Sequence, residues 1–373
     1  MNLVAGLREL VIQTVSAPEP TLGQRLGRGV LRLAAVGYGA AVRARNAAYT
    51  LGLLPAHRLT CRVVCVGNLT VGGTGKTPTV AAAATLLLAA GRKVCILLRG
   101  YGRAGAGTRI VSDGRDLLVD WQEGGDEAVL LAGLLPGVPV VVGADRVEAG
   151  RLALRSFGPD TILLDDGFQH RRLHRDADLV LLDGTDPFGG DQLLPRGRLR
   201  EPVAALGRAH AILVTRRDQV DDLATLRRSL AERAPGVPVA WAVHRPSRVV
   251  DVRSGCAMPP ASLQGKRVVA VSGIATPESF LRTIRQVGAT PAGVLTFPDH
   301  HPFTREDRTR IGGEAQRVGA ECIVTTEKDA VRLGRDLPAG PPTLALGIQV
   351  ALVEGEEIVA RLLAIPAGGI GNG

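Results

Sequence analysis

The chain has 373 residues, of which 45% are hydrophobic and 22% charged, and this balance excludes a disordered or collagen-like protein and favours two globular domains. No run of residues approaches the ~18 uncharged apolar residues of a membrane-spanning helix, and five cysteines without a CxxC pair argue against a disulfide framework or a zinc ribbon. The net charge of +9 indicates an anionic partner, but only 3% of the residues are aromatic, which argues against nucleic acid because stacking platforms are missing.

The positive charge is concentrated near the N-terminus. Between Glu19 and Asp113 the chain has thirteen basic residues and no acidic one. Within this region, residues 22–54 combine Leu, Val and Ala with Arg at spacings that suit one or two amphipathic helices, interrupted by glycines. Such helices either lie on an anionic bilayer or pack on the domain with their arginines in solvent, and the sequence leaves both possibilities open.

From residue 62 onward, short apolar runs alternate with helical patterns. The runs that predict strands in the first half are 62–67, 93–98, 138–142, 161–164, 179–182 and 211–214. Because they are nearly continuous in Leu and β-branched residues, we expect an α/β fold with a parallel sheet covered by helices on both faces.

The same alternation of short apolar runs and helical patterns begins again near residue 267, after a stretch rich in Pro and Arg. Strands are predicted at 267–271, 292–295 and 322–325, with helices at 277–287 and 304–318. The alternation over 343–350 predicts a strand that returns to pair with the preceding stretch. We therefore predict a basic segment at 1–60, a main α/β domain at 61–245, a β-like connector at 246–265 and a smaller α/β domain at 266–373.

The strongest motif is GNLTVGGTGKTP, residues 67–78, between a predicted buried strand and a helix. Consecutive backbone N–H groups, the positive end of the helix and the Lys76 ammonium suit a nucleotide phosphate, and the Thr77 hydroxyl suits Mg²⁺. A generic P-loop has glycine six residues before the lysine, where this chain has Thr70. The remaining GGTGKT and its strand-to-helix context outweigh this departure, so we predict a P-loop NTPase-like domain.

Other polar residues lie where predicted strands or helices end or begin. Asp165 and Asp166 end an apolar strand, where carboxylates reach P-loop-bound Mg²⁺, although aspartate there is often only a cap or turn former. Asp126 precedes an apolar helix and is either its N-cap or a functional carboxylate. His300 follows a strand of the second half. If this imidazole met a carboxylate from the first half, the pair would make a base for a hydroxyl proton.

The motifs GNLTVGGTGKTP, RGYGR, GGDE, DDGFQH, LREP, FPDHHPFT and TTEKDAVRL occur in the order found in the tetraacyldisaccharide 4′-kinase family of lipid A assembly. The chain resembles this family from about Arg62 to Leu333, and residues 22–54 correspond loosely to the family's basic membrane segment. One departure lies around RGYGR, where relatives often have Ser before Arg99 and a second glycine after the motif.

The resemblance implies a fold, a reaction and a location. The fold is a P-loop kinase domain joined to a smaller α/β domain, and residues 1–60 associate with a membrane. The enzyme would transfer the γ-phosphoryl of ATP, with Mg²⁺, to the 4′-hydroxyl of a tetraacyldisaccharide 1-phosphate. This acceptor is an anionic glycolipid, and the enzyme would be peripheral at the cytoplasmic face of the inner membrane.

The resemblance also implies roles for individual residues. The residues matched to nucleotide binding are Thr70, Val71, Gly72, Gly73, Thr74, Gly75, Lys76 and Thr77. Lys76 would contact the β- and γ-phosphates, and Asp126 would be the general base, with His300 as its partner. The residues matched to Mg²⁺ are Thr77, Asp165 and Asp166. The residues matched to the lining of the site are Arg99, Tyr101, Gln169, His170 and Glu201.

An alternative is a P-loop nucleotide switch, an ATPase or GTPase that acts through a protein partner. Dimerising ATPases with similar loops carry a lysine where this chain has Val71, which argues against that class. The segment TRRD, Thr215–Asp218, weakly resembles the guanine-reading T-K-x-D motif but lacks its lysine. A kinase should consume ATP only with an acceptor, whereas a switch should hydrolyse nucleotide slowly alone and respond to a partner.

Overall fold

The computed structural model describes residues 21–337 and 340–364. The α-helices of these residues are α1 (Leu22–Thr50), α2 (Lys76–Ala89), α3 (Trp121–Gly124), α4 (Asp126–Leu134), α5 (Arg146–Phe157), α6 (Leu223–Arg233), α7 (Pro277–Gln286), α8 (Arg305–Arg317), α9 (Glu327–Leu333) and α10 (Glu356–Leu363). The predicted N-terminal segment at 1–60 and the smaller domain at 266–373 each extend beyond the described residues, at 1–20 and at 338–339 and 365–373.

The strands of the described residues form one sheet. They are β1 (Arg62–Asn68), β2 (Val94–Leu98), β3 (Arg109–Ser112), β4 (Val140–Val142), β5 (Thr161–Asp165), β6 (Ala177–Asp183), β7 (Ala211–Thr215), β8 (Val239–Asp251), β9 (Ala257–Met258), β10 (Arg267–Ser272), β11 (Thr290–Thr296), β12 (Cys322–Thr326) and β13 (Thr343–Glu354).

The strand order is β11-β10-β12-β13-β8-β7-β6-β1-β5-β2-β4-β3, with β9 paired to β8. Neighbours are parallel except for the pairs β8–β13, β3–β4 and β8–β9, which are antiparallel. The prediction of a mainly parallel α/β sheet covered by helices is therefore confirmed.

The first half of the sheet is buried on both faces. Val64 and Val66 of β1 share a core with Val80 of α2, while Cys65 points to the opposite face and shares a core with Ala153 of α5. Successive side chains of a strand point to opposite faces, so a continuous apolar run is stable only when both faces are covered. This arrangement holds the carboxyl end of β1, and hence the P-loop, at a fixed edge of the sheet.

The second half of the sheet repeats this arrangement. Val268 and Ala270 of β10 pack with Ile284 of α7 on one face. On the other face, Val269 of β10 packs with Ala315 of α8.

Two long antiparallel strands connect the halves. Strand β8 begins parallel to β7 and then pairs with β13 from Trp241 to Asp251, so the stretch predicted as a connector starts inside β8. After β13 the chain returns to the first half. Val359 and Leu363 of α10 lie in the same core as Val64, and Arg62 Nη2 donates a hydrogen bond of 2.9 Å to the Leu362 carbonyl.

The N-terminal basic segment forms one long helix, α1, rather than two. A capping box at Thr21 begins it, and its second half is fixed to the domain, because Tyr38 Oη donates to the Arg200 carbonyl at 2.8 Å and Arg171 Nη1 to the Asn46 carbonyl at 2.7 Å. The large apolar residues of α1 that are 65–75% exposed are Leu26, Val30, Leu33 and Val36. No helix within the described ranges is long and apolar enough to cross a bilayer.

Candidate active site

The P-loop connects β1 to α2 and is shaped by contacts on its own chain. Gly75 is the N-cap of α2 with φ +84°, a left-handed conformation that favours glycine. Asn68 Nδ2 donates to Thr74 Oγ1 at 3.1 Å from within the loop, and Thr215 Oγ1 donates to the Thr74 carbonyl at 3.1 Å from the end of β7. Backbone N–H groups at the start of α2 are therefore presented to an anion without a capping side chain.

Asp166 connects the P-loop to a neighbouring arginine. The chain turns sharply after β5, with Asp166 at φ +52°, and both oxygens of its carboxylate accept from Arg200 Nη1, at 2.7 and 2.9 Å. Lys76 Nζ lies 3.8 Å from the same carboxylate. Burial raises the pKa of Asp166, but Lys76 and Arg200 outweigh burial and hold it below its usual range. Asp166 is consequently ionised at neutral pH.

Asp165, one residue earlier, has the opposite character. Its side chain is buried, and its Oδ1 has no hydrogen-bond partner among the residues described. Burial, with a further contribution from Glu127, raises its pKa to about 8. A buried carboxylate that lacks a partner is unfavourable unless a cation or a proton neutralises it.

The oxygen donors around this point fit Mg²⁺. Asp165 and Asp166 supply carboxylates, and Thr77 supplies a hydroxyl in the first turn of α2. No group of three or more His, Cys, Asp or Glu side chains in the described part of the chain could by itself hold a metal ion. Mg²⁺ is usually bound by one or two carboxylates together with water and substrate phosphates, so the two aspartates and the threonine hydroxyl suit it.

Asp126 and His300 meet across the two halves of the sheet. Asp126 is the first residue of α4, and Gly125, with φ +89°, is the N-cap, so the carboxylate is not needed as the cap. Asp126 Oδ2 lies 2.9 Å from His300 Nδ1 and 3.4 Å from Arg332 Nε. Burial raises the pKa of Asp126, but the hydrogen bond from His300 and the charge of Lys328 outweigh burial and lower it. The pair therefore presents an ionised carboxylate.

Lys328 determines how His300 is oriented. Its Nζ donates to His300 Nε2 at 3.3 Å and to Glu127 Oε1 at 3.2 Å. An ammonium has no acceptor, so Nε2 accepts and the proton of the ring lies on Nδ1, which donates to Asp126. Burial lowers the pKa of Lys328, but the carboxylates of Glu127, Asp126 and Asp299 outweigh burial and raise it. Lys328 is thus a permanent cation beside the pair.

Of the predicted lining residues, Gln169 lies beside the P-loop, and His170 follows it in the chain. Gln169 Nε2 donates to the Asn68 carbonyl at 3.0 Å. His170 is partly buried, and burial together with the charge of Arg146 lowers its pKa to about 4, so the imidazole is neutral at physiological pH.

The other three predicted lining residues have different surroundings. The Tyr101 ring is 68% exposed and its centroid lies 5.7 Å from that of His300, and Arg99 is exposed near the buried Arg146. Glu201 is completely buried. The residues around its carboxylate are Arg208, Asn46 and Arg45, at 2.8, 3.0 and 3.4 Å, so it anchors α1 to the domain.

Several charged residues of the site were not singled out from the sequence. They are Glu127, Arg200, Lys328 and Arg332. Each lies inside a motif already noted, because Glu127 belongs to GGDE, Arg200 to LREP, and Lys328 and Arg332 to TTEKDAVRL. The spacing of Lys328 and Arg332 by four residues, which places both on one face of a helix, is the sequence signal that could have identified them.

The sequence of this chain is similar to those of known proteins. Residues 28–366 match the family model described as tetraacyldisaccharide-1-P 4′-kinase. A tetraacyldisaccharide 4′-kinase of Anaeromyxobacter sp. (strain K) is 46% identical, covering 92% of this chain and 91% of the relative. One from Anaeromyxobacter dehalogenans (strain 2CP-C) is 44% identical with the same coverage.

A solved structure is also similar. It is described as the "apo" form of LpxK from Aquifex aeolicus in complex with ATP. It has a TM-score of 0.74 and 34% identity, and it covers 90% of this chain and 99% of that one.

Proposed function

The chain belongs to the tetraacyldisaccharide 4′-kinase family, and on this premise we propose that it transfers the γ-phosphoryl of ATP to the 4′-hydroxyl of a tetraacyldisaccharide 1-phosphate. The observation that carries the proposal is the 2.9 Å contact between Asp126 and His300, which lie in different halves of the sheet. An ionised carboxylate held in this way is suited to accept a hydroxyl proton.

The nucleotide is held by the loop from Thr70 to Thr77. Backbone N–H groups and the start of α2 bind the phosphates, and the Lys76 ammonium contacts the β- and γ-phosphates. In this role Lys76 exchanges its present neighbour, the Asp166 carboxylate at 3.8 Å, for the incoming phosphate. Phosphoryl transfer depends mainly on positioning and charge stabilisation, which a rigid loop supplies.

Asp165, Asp166 and Thr77 would hold Mg²⁺. At this site Mg²⁺ would supply positive charge against the charge that develops on the phosphate oxygens. The raised pKa of Asp165 then has a function, because a carboxyl group that keeps its proton in the free protein becomes a ligand only when a cation replaces that proton. Arg200 keeps Asp166 in place for the same role.

Asp126 acts on the acceptor. Its carboxylate takes the proton of the 4′-hydroxyl as the oxygen forms its bond to the γ-phosphorus, and the bond between that phosphorus and the β–γ bridging oxygen breaks to release ADP. His300 donates from Nδ1 to Asp126 and so fixes its orientation, while Lys328 holds the imidazole in the tautomer this requires. The Tyr101 ring lies beside that of His300, and Tyr101 together with Arg99 of the same loop would contact the glycolipid.

The acceptor is a lipid, and α1 provides the attachment to its membrane. The exposed apolar residues of α1 and its arginines, without any acidic residue, suit an anionic bilayer surface. We assign the protein to the cytoplasmic face of the inner membrane as a peripheral enzyme. Glu201 couples this helix to the domain through Arg45 and Asn46.

The test is a direct phosphorylation assay. The protein is incubated with γ-labelled Mg·ATP and a detergent-dispersed tetraacyldisaccharide 1-phosphate, and the lipid is examined for a labelled bisphosphate. We expect label in the lipid and little ATP consumption without it. ATP hydrolysis that is independent of the lipid and rises with a protein partner would instead support the nucleotide switch.

A further inference from the structure

The turn Thr215–Asp218 follows β7 and lies at the same edge of the sheet as the P-loop. In the sheet, β7 is second from β1, with β6 between them, and all three strands are parallel. Their carboxyl ends therefore meet at one edge, so the turn after β7 and the loop after β1 face the same crevice.

Two buried side chains of this turn are bonded to the P-loop itself. Thr215 Oγ1 donates to the Thr74 carbonyl at 3.1 Å, and Arg216 Nη2 donates to the Gly73 carbonyl at 3.0 Å. Arg216 is also paired with the buried Asp183. In a T-K-x-D motif the lysine contacts the phosphate-binding loop. Here the Arg216 guanidinium makes this contact, so the turn is fixed relative to the P-loop.

The carboxylate of Asp218 is a hydrogen-bond acceptor that is free to bind a ligand beside this crevice. Its side chain is exposed, and within residues 21–337 and 340–364 it has no hydrogen bond or ion pair. The carboxylate acts electrostatically on His244 of β8, whose Nε2 is buried and has no partner in the described structure. This imidazole lies against the P-loop, since a Cβ at Gly75 would lie 2.5 Å from Nε2.

The imidazole of His244 is neutral. Burial, followed by the charge of Arg216, lowers its pKa to about 4. The other charged groups that act on it are the carboxylates of Asp183 and Asp218, and they do not restore the proton. Near the P-loop the protein therefore offers the exposed carboxylate of Asp218 and the unpaired imidazole nitrogen of His244.

We propose that the Thr215–Asp218 turn and His244 form the purine-base site, and that Asp218 admits guanine, so that GTP serves as a phosphoryl donor beside ATP. Guanine presents two adjacent N–H donors, at N1 and N2, which match the two oxygens of a carboxylate. Adenine presents one amino group beside an acceptor nitrogen, so it gains less from Asp218. The inference rests on the proposed kinase function for the donor role, but base selection is independent of the acceptor.

Base selection is measured first without any lipid, by displacement of a fluorescent ATP analogue with ATP, GTP and XTP. We expect the Kd of GTP to lie within about tenfold of that of ATP. Asp218→Asn should raise the Kd of GTP by about tenfold or more, which is the scale of a hydrogen bond to a charged group. It should raise the Kd of ATP by less than about threefold. The same change should lower the Kd of XTP, because the side-chain amide of asparagine donates a hydrogen bond to the 2-oxo group of xanthine.

Asp221→Asn, three residues further along, is the matched control and removes the same charge from another exposed aspartate. It should leave all three affinities unchanged. Failure of GTP to displace the probe from the wild type, equal effects of Asp218→Asn on ATP and GTP, or equal changes in both variants, would overturn the base site. Thermal unfolding of each variant confirms that it is folded.

The donor role is then measured with γ-labelled GTP or ATP and the lipid acceptor. Lipid labelled from both nucleotides supports the proposal, and labelling from ATP alone overturns the donor claim. If neither nucleotide labels the lipid while the base preference shifts as expected, the proposed kinase function fails and the base site stands.

Discussion

Asp126 and His300 are 174 positions apart in the chain and share a hydrogen bond of 2.9 Å. Asp126 begins α4 in the first half of the sheet, and His300, at φ +61°, lies in the loop between β11 and α8 in the second. The geometry of the carboxylate therefore depends on how the two halves are held together.

We expect Asp126→Asn and His300→Ala each to lower kcat by ~10²-fold or more, the usual scale for loss of a general base or of its orientation. The KM for ATP should change little, because neither side chain belongs to the P-loop. Since the two act as one unit, the double variant should be no more than slightly worse than the poorer single variant. Steady-state kinetics with the lipid acceptor measure all three.

His301→Ala is the matched control for this pair. The His301 ring is bonded to Asp307 at 2.7 Å and stacks on Phe297, away from Asp126. Its kcat should stay near that of the wild type. Losses that multiply in the Asp126 and His300 double variant, or a larger loss in His301→Ala, would contradict the pairing.

Lys76→Ala should reduce turnover by about 10²–10³-fold without unfolding the protein, because it removes a charge that stabilises the transferring phosphoryl group. The measurement is lipid phosphorylation at saturating ATP, with circular dichroism to verify the fold. Lys93→Ala, which removes an exposed lysine just before β2, should retain activity. If Lys76→Ala kept a turnover near that of the wild type, the assignment of Lys76 to phosphate binding would be wrong.

Membrane binding should depend on the exposed face of α1. The double change Leu26→Ser and Leu33→Ser should weaken binding to vesicles with anionic lipid about 10²-fold or more, since burial of each leucine contributes about 1.5–3 kcal/mol and about 1.4 kcal/mol corresponds to a factor of ten. Binding should also weaken at high salt, because the arginines are screened. Sedimentation with vesicles measures both effects.

Leu117→Ser with Leu118→Ser is the control for α1, because these leucines are also exposed, at 52% each, but lie elsewhere on the surface. This variant should bind vesicles as the wild type does. Equal binding by both double variants would show that α1 has a structural role only.

Stability should depend on pH through Asp165. The pKa of this carboxyl is about 8 in the folded protein and near 3.8 in the unfolded chain, so between these values only the folded state holds the proton. The free energy of unfolding should therefore fall as pH rises from about 4 to about 8, because the folded state must give up a proton that the unfolded chain has already lost. Asp165→Asn should remove this contribution and stabilise the protein at pH 8.

Thermal unfolding between pH 5 and 9, without Mg²⁺ or nucleotide, tests this expectation. Asp221→Asn, at an exposed position, should show the same change of stability with pH as the wild type. If Asp165→Asn kept the same slope as the wild type, a protonated Asp165 in the free protein would be ruled out.

The sequence predicted most of the sheet because its strands are buried on both faces and read as continuous apolar runs. Strand β3 was missed, since Arg109–Ser112 is a short antiparallel strand at the edge of the sheet with an exposed arginine. Whether Asp126 is a cap could not be decided from spacing. The answer depends on the backbone of Gly125, whose φ of +89° makes it the N-cap instead.

Contacts between distant segments were outside the reach of sequence patterns. The bonds from Arg216 and Thr215 to the P-loop, and the approach of His244, depend on the register of β7 and β8. The pairing of Asp126 with His300 was expected only from the family resemblance. Periodicity reports which face of an element is buried, but not which loop lies opposite it.

The position of α10 has a consequence for how the protein is made. Val359 and Leu363, among the last described residues, pack into the core that contains Val64. A ribosome therefore completes the segment from β1 to β7 long before the helix that covers part of its apolar surface has been synthesised. Until Glu356–Leu363 emerge, the nascent chain exposes that surface to chaperones and proteases, and a chain that terminates early is a substrate for quality control.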